Sequence, residues 1–146
     1  MFAAFINRLT ARTPEPLTDT DARLALAALL VRIARSDGDY AAIETARIDD
    51  VLTARYALTP EAARALRAEA EVLEAEAPDT VRFTRAIKAA VPYDDRLDVV
   101  EGLWAIVLAD GERNDEENAL LRLVAPMLGI NDRDSNLARR RVETWD

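Results

Sequence analysis

The chain has 146 residues, half of them hydrophobic, and a net charge of −8. This length fits one domain, which can bury enough apolar surface to fold without a disulfide or a structural metal. The sequence contains no cysteine and no histidine, which excludes disulfides, thiolate metal sites and the commonest general base near neutral pH. The negative charge disfavours nucleic-acid binding because phosphate backbones are repelled, and the missing cysteines favour a cytoplasmic location.

Residues 1–17 are predicted to form an amphipathic segment and linker ahead of a helical domain over 18–146. The large apolar side chains of the segment share one face of a short helix: Phe2, Phe5, Ile6 and Leu9. Such a face can dock on the domain itself or touch a membrane surface. The segment is too short for a secretory signal, and no apolar run approaches the ~20 residues of a transmembrane helix.

Apolar residues recur three and four positions apart along the rest of the chain, which predicts helices. No long stretch alternates apolar and polar residues as a strand does. Turn and cap residues divide the chain into an all-α fold of about seven helices. The first is predicted to run from Thr18 or Asp19 to about Ser36, and the second follows the turn at 37–39 and ends near Tyr56. The third runs over about 60–76, the fourth opens at about 79, and the fifth follows a break at 91–95 and ends near 110. The last two run over about 114–128 and 131–142.

Two parts of the chain repeat each other at a spacing of 73 residues. The pattern Asp-Gly-(Asp/Glu)-x4-Glu occurs at 37–44 and again at 110–117. Apolar positions on both sides of the pattern repeat with the same offset, and the ends of the two copies match at an offset of 72. Each copy is a helix, an acidic turn, a helix and a turn. We therefore predict two pseudo-symmetric helical hairpins, over 24–56 and 97–128, packed around one core.

The repeated pattern places two carboxylates at an interhelical turn in each copy. Asp37 and Glu44 from the first copy and Asp110 and Glu117 from the second can point toward one another. Negative charges brought so close repel, and a divalent cation removes that conflict. A ligand set made only of oxygen selects Ca²⁺, Mg²⁺ or Mn²⁺ over Zn²⁺. The sequence therefore predicts a divalent-cation site built from both turns.

Two further carboxylates, Asp39 and Glu112, stand beside this set and either bind the cation directly or only add negative field. The acidic residues also have a simpler explanation, because Asp and Gly are ordinary turn residues. Asp39 can act as an N-cap, and Glu44 and Glu117 can complement helix dipoles. The pattern is not an EF-hand, whose loop has Gly sixth and Glu twelfth. A ferritin-type di-iron site is excluded by the lack of histidine.

The residues that define the two copies are also those that suggest a family. They are Leu29-Leu30-x3-Ala34-x2-Asp37-Gly38-x5-Glu44, Leu103-x5-Ala109-Asp110-Gly111-x5-Glu117 and the closing Leu128-Gly129-Ile130. In these motifs the chain resembles the TerB-like domains of bacterial tellurite-resistance proteins, over about residues 18 to 142. The resemblance implies an all-helical fold with internal pseudo-symmetry.

The resemblance also implies a metal site, which falls here on Asp37, Glu44, Asp110 and Glu117. The first copy departs from the second because Ile43 stands opposite Glu116, so that half holds less negative charge.

Three hypotheses for function follow. The first is a cation-binding helical module without catalysis, acting in tellurite or stress response together with other proteins of a stress-response or membrane-associated assembly. The second is an adaptor whose acidic helices recognise a basic protein without any metal. The third is an enzyme in which the carboxylates support metal-assisted hydrolysis, but the sequence shows no nucleophile arrangement and no phosphate loop.

Overall fold

The structure, a computed structural model, describes residues 4, 6–7, 19–36, 40, 42–77, 79–108 and 115–144. These residues contain seven helices and no strand, which confirms the predicted all-α fold. In chain order the helices are α1 (Asp19–Ala34), α2 (Ala42–Tyr56), α3 (Pro60–Glu76), α4 (Thr80–Ala90), α5 (Tyr93–Val107), α6 (Asp115–Met127) and α7 (Asp132–Glu143).

Two helices end earlier than the sequence predicts. α1 stops at Ala34 rather than near Ser36, and α5 stops at Val107 rather than near residue 110. At the end of α1 the Ser36 hydroxyl donates to the Ile33 carbonyl at 2.7 Å. This local bond competes with the helical pattern, as serine side chains often do near helix ends.

The two predicted hairpins form, but each copy of the repeat contains a third helix that the prediction left out. α1 packs most extensively against α3, and α5 packs most extensively against α7. α1 and α5 also pack against each other, which joins the copies at one core. The repeat is therefore α1–α2–α3 followed by α5–α6–α7, with α4 between the two copies.

The second helix of each copy ends in the same backbone motif. Ala57 has φ 53° and Gly129 has φ 78°, so both residues adopt the left-handed conformation just beyond their helices. The N–H of the following residue, Leu58 or Ile130, donates to a carbonyl five residues earlier, at 3.2 and 2.9 Å respectively. This six-to-one bond is the Schellman motif, and its recurrence at the offset of 72 confirms the duplicated ending.

The third helix of each copy also begins in the same way. The Thr59 hydroxyl accepts from the N–H of Ala62 at 3.1 Å at the start of α3. The Asn131 amide oxygen accepts from the N–H of Asp134 at 2.8 Å at the start of α7. Both bonds satisfy N–H groups that have no partner inside the helix.

The matched left-handed positions give a reciprocal prediction. Ala57→Gly should stabilise the protein by about 1 kcal/mol, because glycine carries no Cβ penalty at positive φ. Gly129→Ala should destabilise it by about 1 kcal/mol or more, because alanine is strained at φ 78° and its Cβ would also displace Nη1 of Arg96, 2.8 Å away. Urea unfolding of both variants measures the effects. If both variants changed the free energy of unfolding equally and in the same direction, residues 57 and 129 would not both be left-handed.

The pairing of first and third helices uses different chemistry in the two copies. In the first copy Glu74 of α3 forms ion pairs with Arg32 of α1, at 3.2 Å, and with Arg35 just after α1, at 2.9 Å. In the second copy the buried Trp104 indole of α5 donates to the Ser135 hydroxyl of α7 at 3.1 Å. The backbone repeat is thus kept while the polar contacts that join its helices differ.

The N-terminal segment is described only at residues 4, 6 and 7, which are helical. Ile6 is partly buried and packs against the hydrophobic core, whereas Asn7 is exposed. The predicted boundary between 1–17 and the domain over 18–146 stays a prediction. None of the helices in the described part of the chain is long and apolar enough to span a membrane.

Candidate functional site

Of the six carboxylates predicted as metal ligands, only Glu44 has a described side chain. Glu44 lies in the first turn of α2 and is only 5% exposed. Glu117 falls within α6, but its side chain lies outside the description. The remaining four lie outside the described residues altogether: Asp37, Asp39, Asp110 and Glu112.

Arg35 and Tyr40 are described residues that flank the first acidic turn in the sequence, and Arg35 contacts α3. The Arg35 guanidinium lies over the Tyr40 ring, 5.0 Å from its centroid, and donates to Glu74 at 2.9 Å. Burial raises the pKa of the Tyr40 hydroxyl, and the nearby negative charge of Glu71 raises it further. The positive charge closest along the chain to this turn is therefore paired with α3.

α2 and α5 pack antiparallel to each other, so that the start of one helix lies beside the end of the other. Near the end of α2, Arg55 forms an ion pair with Asp98 near the start of α5. Near the start of α2, Arg47 lines a cavity of about 380 Å³ together with Leu108, which follows α5. The beginning of α2, which carries Glu44, therefore lies beside the end of α5.

Among the residues whose side chains are described, no group of three or more acidic side chains is arranged to hold a metal ion. Since five of the six predicted ligands lie outside that set, the cation site stays a prediction. The described residues show that Glu44 is buried and that the start of α2 lies beside the end of α5.

A groove lies between α2 and α5, and the sequence analysis missed it. Its volume is about 390 Å³. At its floor, α5 approaches α1 and α2 closely at Gly102. A Cβ on Gly102 would lie 3.1 Å from Val51 Cγ1 and 3.3 Å from Leu30 Cδ2. Its walls are mostly charged: Arg47, Asp50, Ala54, Arg55, Asp98 and Glu101.

The groove changes the acidity of one of its carboxyl groups. Burial raises the pKa of the Asp98 carboxyl, and Arg55 opposes that shift through its positive charge. In the sequence, the only available signal was Gly102 itself, since an isolated glycine inside a helical pattern often marks a close helix approach.

The comparisons with known proteins give one match. A family model described as "Tellurite resistance protein TerB" matches residues 23–140. Neither the comparison with curated proteins nor that with solved structures found a match. The matched range contains both copies of the repeat, except for the first residues of α1 and the last residues of α7.

Proposed function

Because the chain belongs to the TerB family, we propose that it is a non-catalytic helical module that binds a divalent cation between its two acidic turns. The ligands are Asp37 and Glu44 from the first turn and Asp110 and Glu117 from the second. Asp39 and Glu112 add negative field or complete the coordination. The cation is Ca²⁺, Mg²⁺ or Mn²⁺, because only oxygen ligands are offered.

The observation that carries this proposal is the duplicated acidic pattern, whose distal residue Glu44 is buried at the start of α2. Glu44 already has interactions within the protein, and a bound cation would add to them. A carboxylate that complements a helix dipole at the surface contributes only about 0.3–1 kcal/mol, which gives no reason for the pattern to occur twice. A cation shared by both turns gives one.

The packing of α2 on α5 supports a single shared site rather than two separate ones. Glu44 lies one helical turn before Arg47, and Arg47 shares its cavity with Leu108 at the end of α5. The second acidic turn follows Leu108 directly in the sequence. Ca²⁺ takes six to eight oxygen ligands, so carboxylates from both turns suit one ion better than those from either turn alone.

Calorimetric titration with Ca²⁺, Mg²⁺ and Mn²⁺ tests the proposal directly. We expect saturable binding of one cation by the wild-type protein and loss of that heat in Asp110→Asn. Glu69→Gln is the matched control, because Glu69 is exposed on α3 and should bind like the wild type. If no cation gives saturable heat at millimolar concentration, the metal proposal fails and the acidic adaptor becomes the favoured function.

We place the module in the cytoplasm, because it has no cysteine. Its pathway would be tellurite resistance, as the family description suggests, or a related stress response. Its net charge of −8 favours basic surfaces of other proteins as partners over nucleic acids. Catalysis is not part of the proposal, because the sequence lacks the histidine and cysteine that most often act as base or nucleophile.

A further inference from the structure

Two neighbouring helices, α4 and α6, run side by side in the same direction. α4 packs against α6, where the Thr84 hydroxyl lies 3.4 Å from the Met127 sulfur. Further along both helices, a Cβ on Gly129 would lie 3.1 Å from Lys88 Cε. Because the two contacts advance together along the chain, residues one turn before Thr84 and one turn before Met127 are also neighbours.

Exposed apolar side chains line the outer side of this contact. One turn before Thr84, Val81 of α4 is 44% exposed, and one turn before Met127, Leu123 of α6 is 53% exposed. Leu123 is the most exposed large hydrophobic side chain among those that the structure describes. Together with the half-buried Met127, these two residues form an apolar surface, the α4–α6 seam.

The repeat shows that the fold does not require this seam to be apolar. At the offset of 73, Leu123 of α6 corresponds to Asp50 of α2. Asp50 is exposed, as Leu123 is, so the equivalent face of the first copy is polar. Neighbouring apolar side chains left exposed on one surface often mark a contact with another molecule.

Positive charge borders the seam. Arg85 and Lys88 follow Val81 by four and seven residues, which places them on the same exposed side of α4. Neither side chain forms an ion pair with a carboxylate in the part of the chain that the structure describes. Since the chain has 27 acidic and 19 basic residues, two neighbouring cations without a carboxylate are unexpected. The surface that covers the seam should therefore be both apolar and acidic.

The outward face of α3 has this character. Val72 is 40% exposed, and residues three, four and seven positions away lie on the same side of the helix. The exposed apolar residues of this face form one stripe: Ala65, Ala68, Val72 and Ala75.

Glutamates accompany the apolar stripe of α3. Glu61, Glu69 and Glu76 are exposed on the same side of the helix as Val72, whereas Arg64 is the only exposed basic residue of α3. Glu61 and Glu69 form no ion pair within the described ranges of the chain. The acidic stripe of α3 thus complements the α4–α6 seam in charge and in apolar character.

We propose that the α4–α6 seam binds the acidic stripe of α3 in a second copy of the chain. Each copy carries both surfaces, so a two-fold axis pairs them twice and closes a homodimer. The alanines of α3 allow a close approach between helices, Val72 packs against Val81 and Leu123, and Glu69 faces Arg85. Contact of one seam with another is disfavoured, because it brings like charges together.

Sedimentation equilibrium of the full chain at about 0.15 M salt tests the proposal. Because the two surfaces contain few large apolar side chains, we expect a weak dimer with a Kd on the order of 100 µM. The 16.2 kDa chain should then be monomeric at roughly 5 µM and mostly dimeric at about 1 mM. A wild-type chain that stays monomeric at about 1 mM would overturn the proposal.

Charge reversal tests which surfaces meet. Arg85→Glu places a negative charge opposite the acidic stripe, and Glu69→Arg places a positive charge opposite the seam, so each variant alone should stay monomeric at about 1 mM. Glu69→Arg makes the net charge of the chain less negative, which by itself favours association. An equimolar mixture of the two variants should dimerise like the wild type, because one contact keeps its original charges and the other has both charges reversed.

Variants on α7 provide matched controls. Arg140 is exposed on α7, so Arg140→Glu changes the net charge as Arg85→Glu does and should still dimerise. Leu123→Asp should abolish dimerisation, whereas Leu137→Asp, at a residue 39% exposed on α7, should not. The proposal is also overturned if Arg85→Glu or Glu69→Arg alone dimerises like the wild type, or if their mixture does not recover.

Discussion

Saturating Ca²⁺, Mg²⁺ or Mn²⁺ should raise the melting temperature of the wild-type protein by roughly 5–10 °C. A ligand that binds only the native state stabilises it by about 2.7 kcal/mol at a hundredfold excess over Kd. For a domain of this size, each kcal/mol corresponds to a shift of about 2–4 °C. Differential scanning calorimetry with and without the cation measures the shift.

Single variants separate a bound cation from a general salt effect. Asp110→Asn should abolish the rise and slightly increase the melting temperature without metal, because one repelling charge is removed. Glu44→Gln should abolish the rise as well, whereas Glu69→Gln, on an exposed part of α3, should keep it. An equal rise in all three variants would mean that the acidic turns do not bind the cation.

Leu103→Ala should lower the free energy of unfolding by about 2–5 kcal/mol, the usual range for a fully buried leucine. Leu103 is 0% exposed and belongs to α5, which packs against α1, α6 and α7. The cavity left by the lost side chain therefore opens where the two copies of the repeat meet. Urea unfolding monitored by circular dichroism measures the loss.

Leu123→Ala provides the control for this truncation. Leu123 is 53% exposed on α6, so the same chemical change there should alter the free energy of unfolding by less than about 0.5–1 kcal/mol. Similar losses for the two variants would contradict the assignment of α5 to the centre of the core.

The helices and most of their ends could be predicted from the sequence because the signals that set them are local. Thr59 caps the helix that follows it, and Gly129 provides the left-handed residue that ends α6. These residues act on backbone groups within a few positions along the chain. The acidic repeat could also be found in the sequence, because a constant spacing of 73 residues is enough to identify it.

The sequence predicted α3 and α7 as helices, but their place in the repeat was missed because their side chains are not repeated. Ala63 of α3 and Ser135 of α7 occupy equivalent positions and are both buried, yet one is apolar and the other binds Trp104. Tertiary packing preserves the backbone arrangement while the sequence changes. Only the contacts of α3 with α1 and of α7 with α5 identify the longer repeat.

The sequence by itself determined an all-α chain with a duplicated acidic turn, because periodicity, caps and spacing are properties of short segments. Beyond the two hairpins, tertiary structure alone decided which helices meet. α5 is buried over nearly all of its last nine residues, and a helix buried on every side has no polar face by which periodicity could orient it. The burial of Glu44 and the groove beside Gly102 arise from packing between segments distant in the chain, where side-chain shape rather than local pattern determines the contacts.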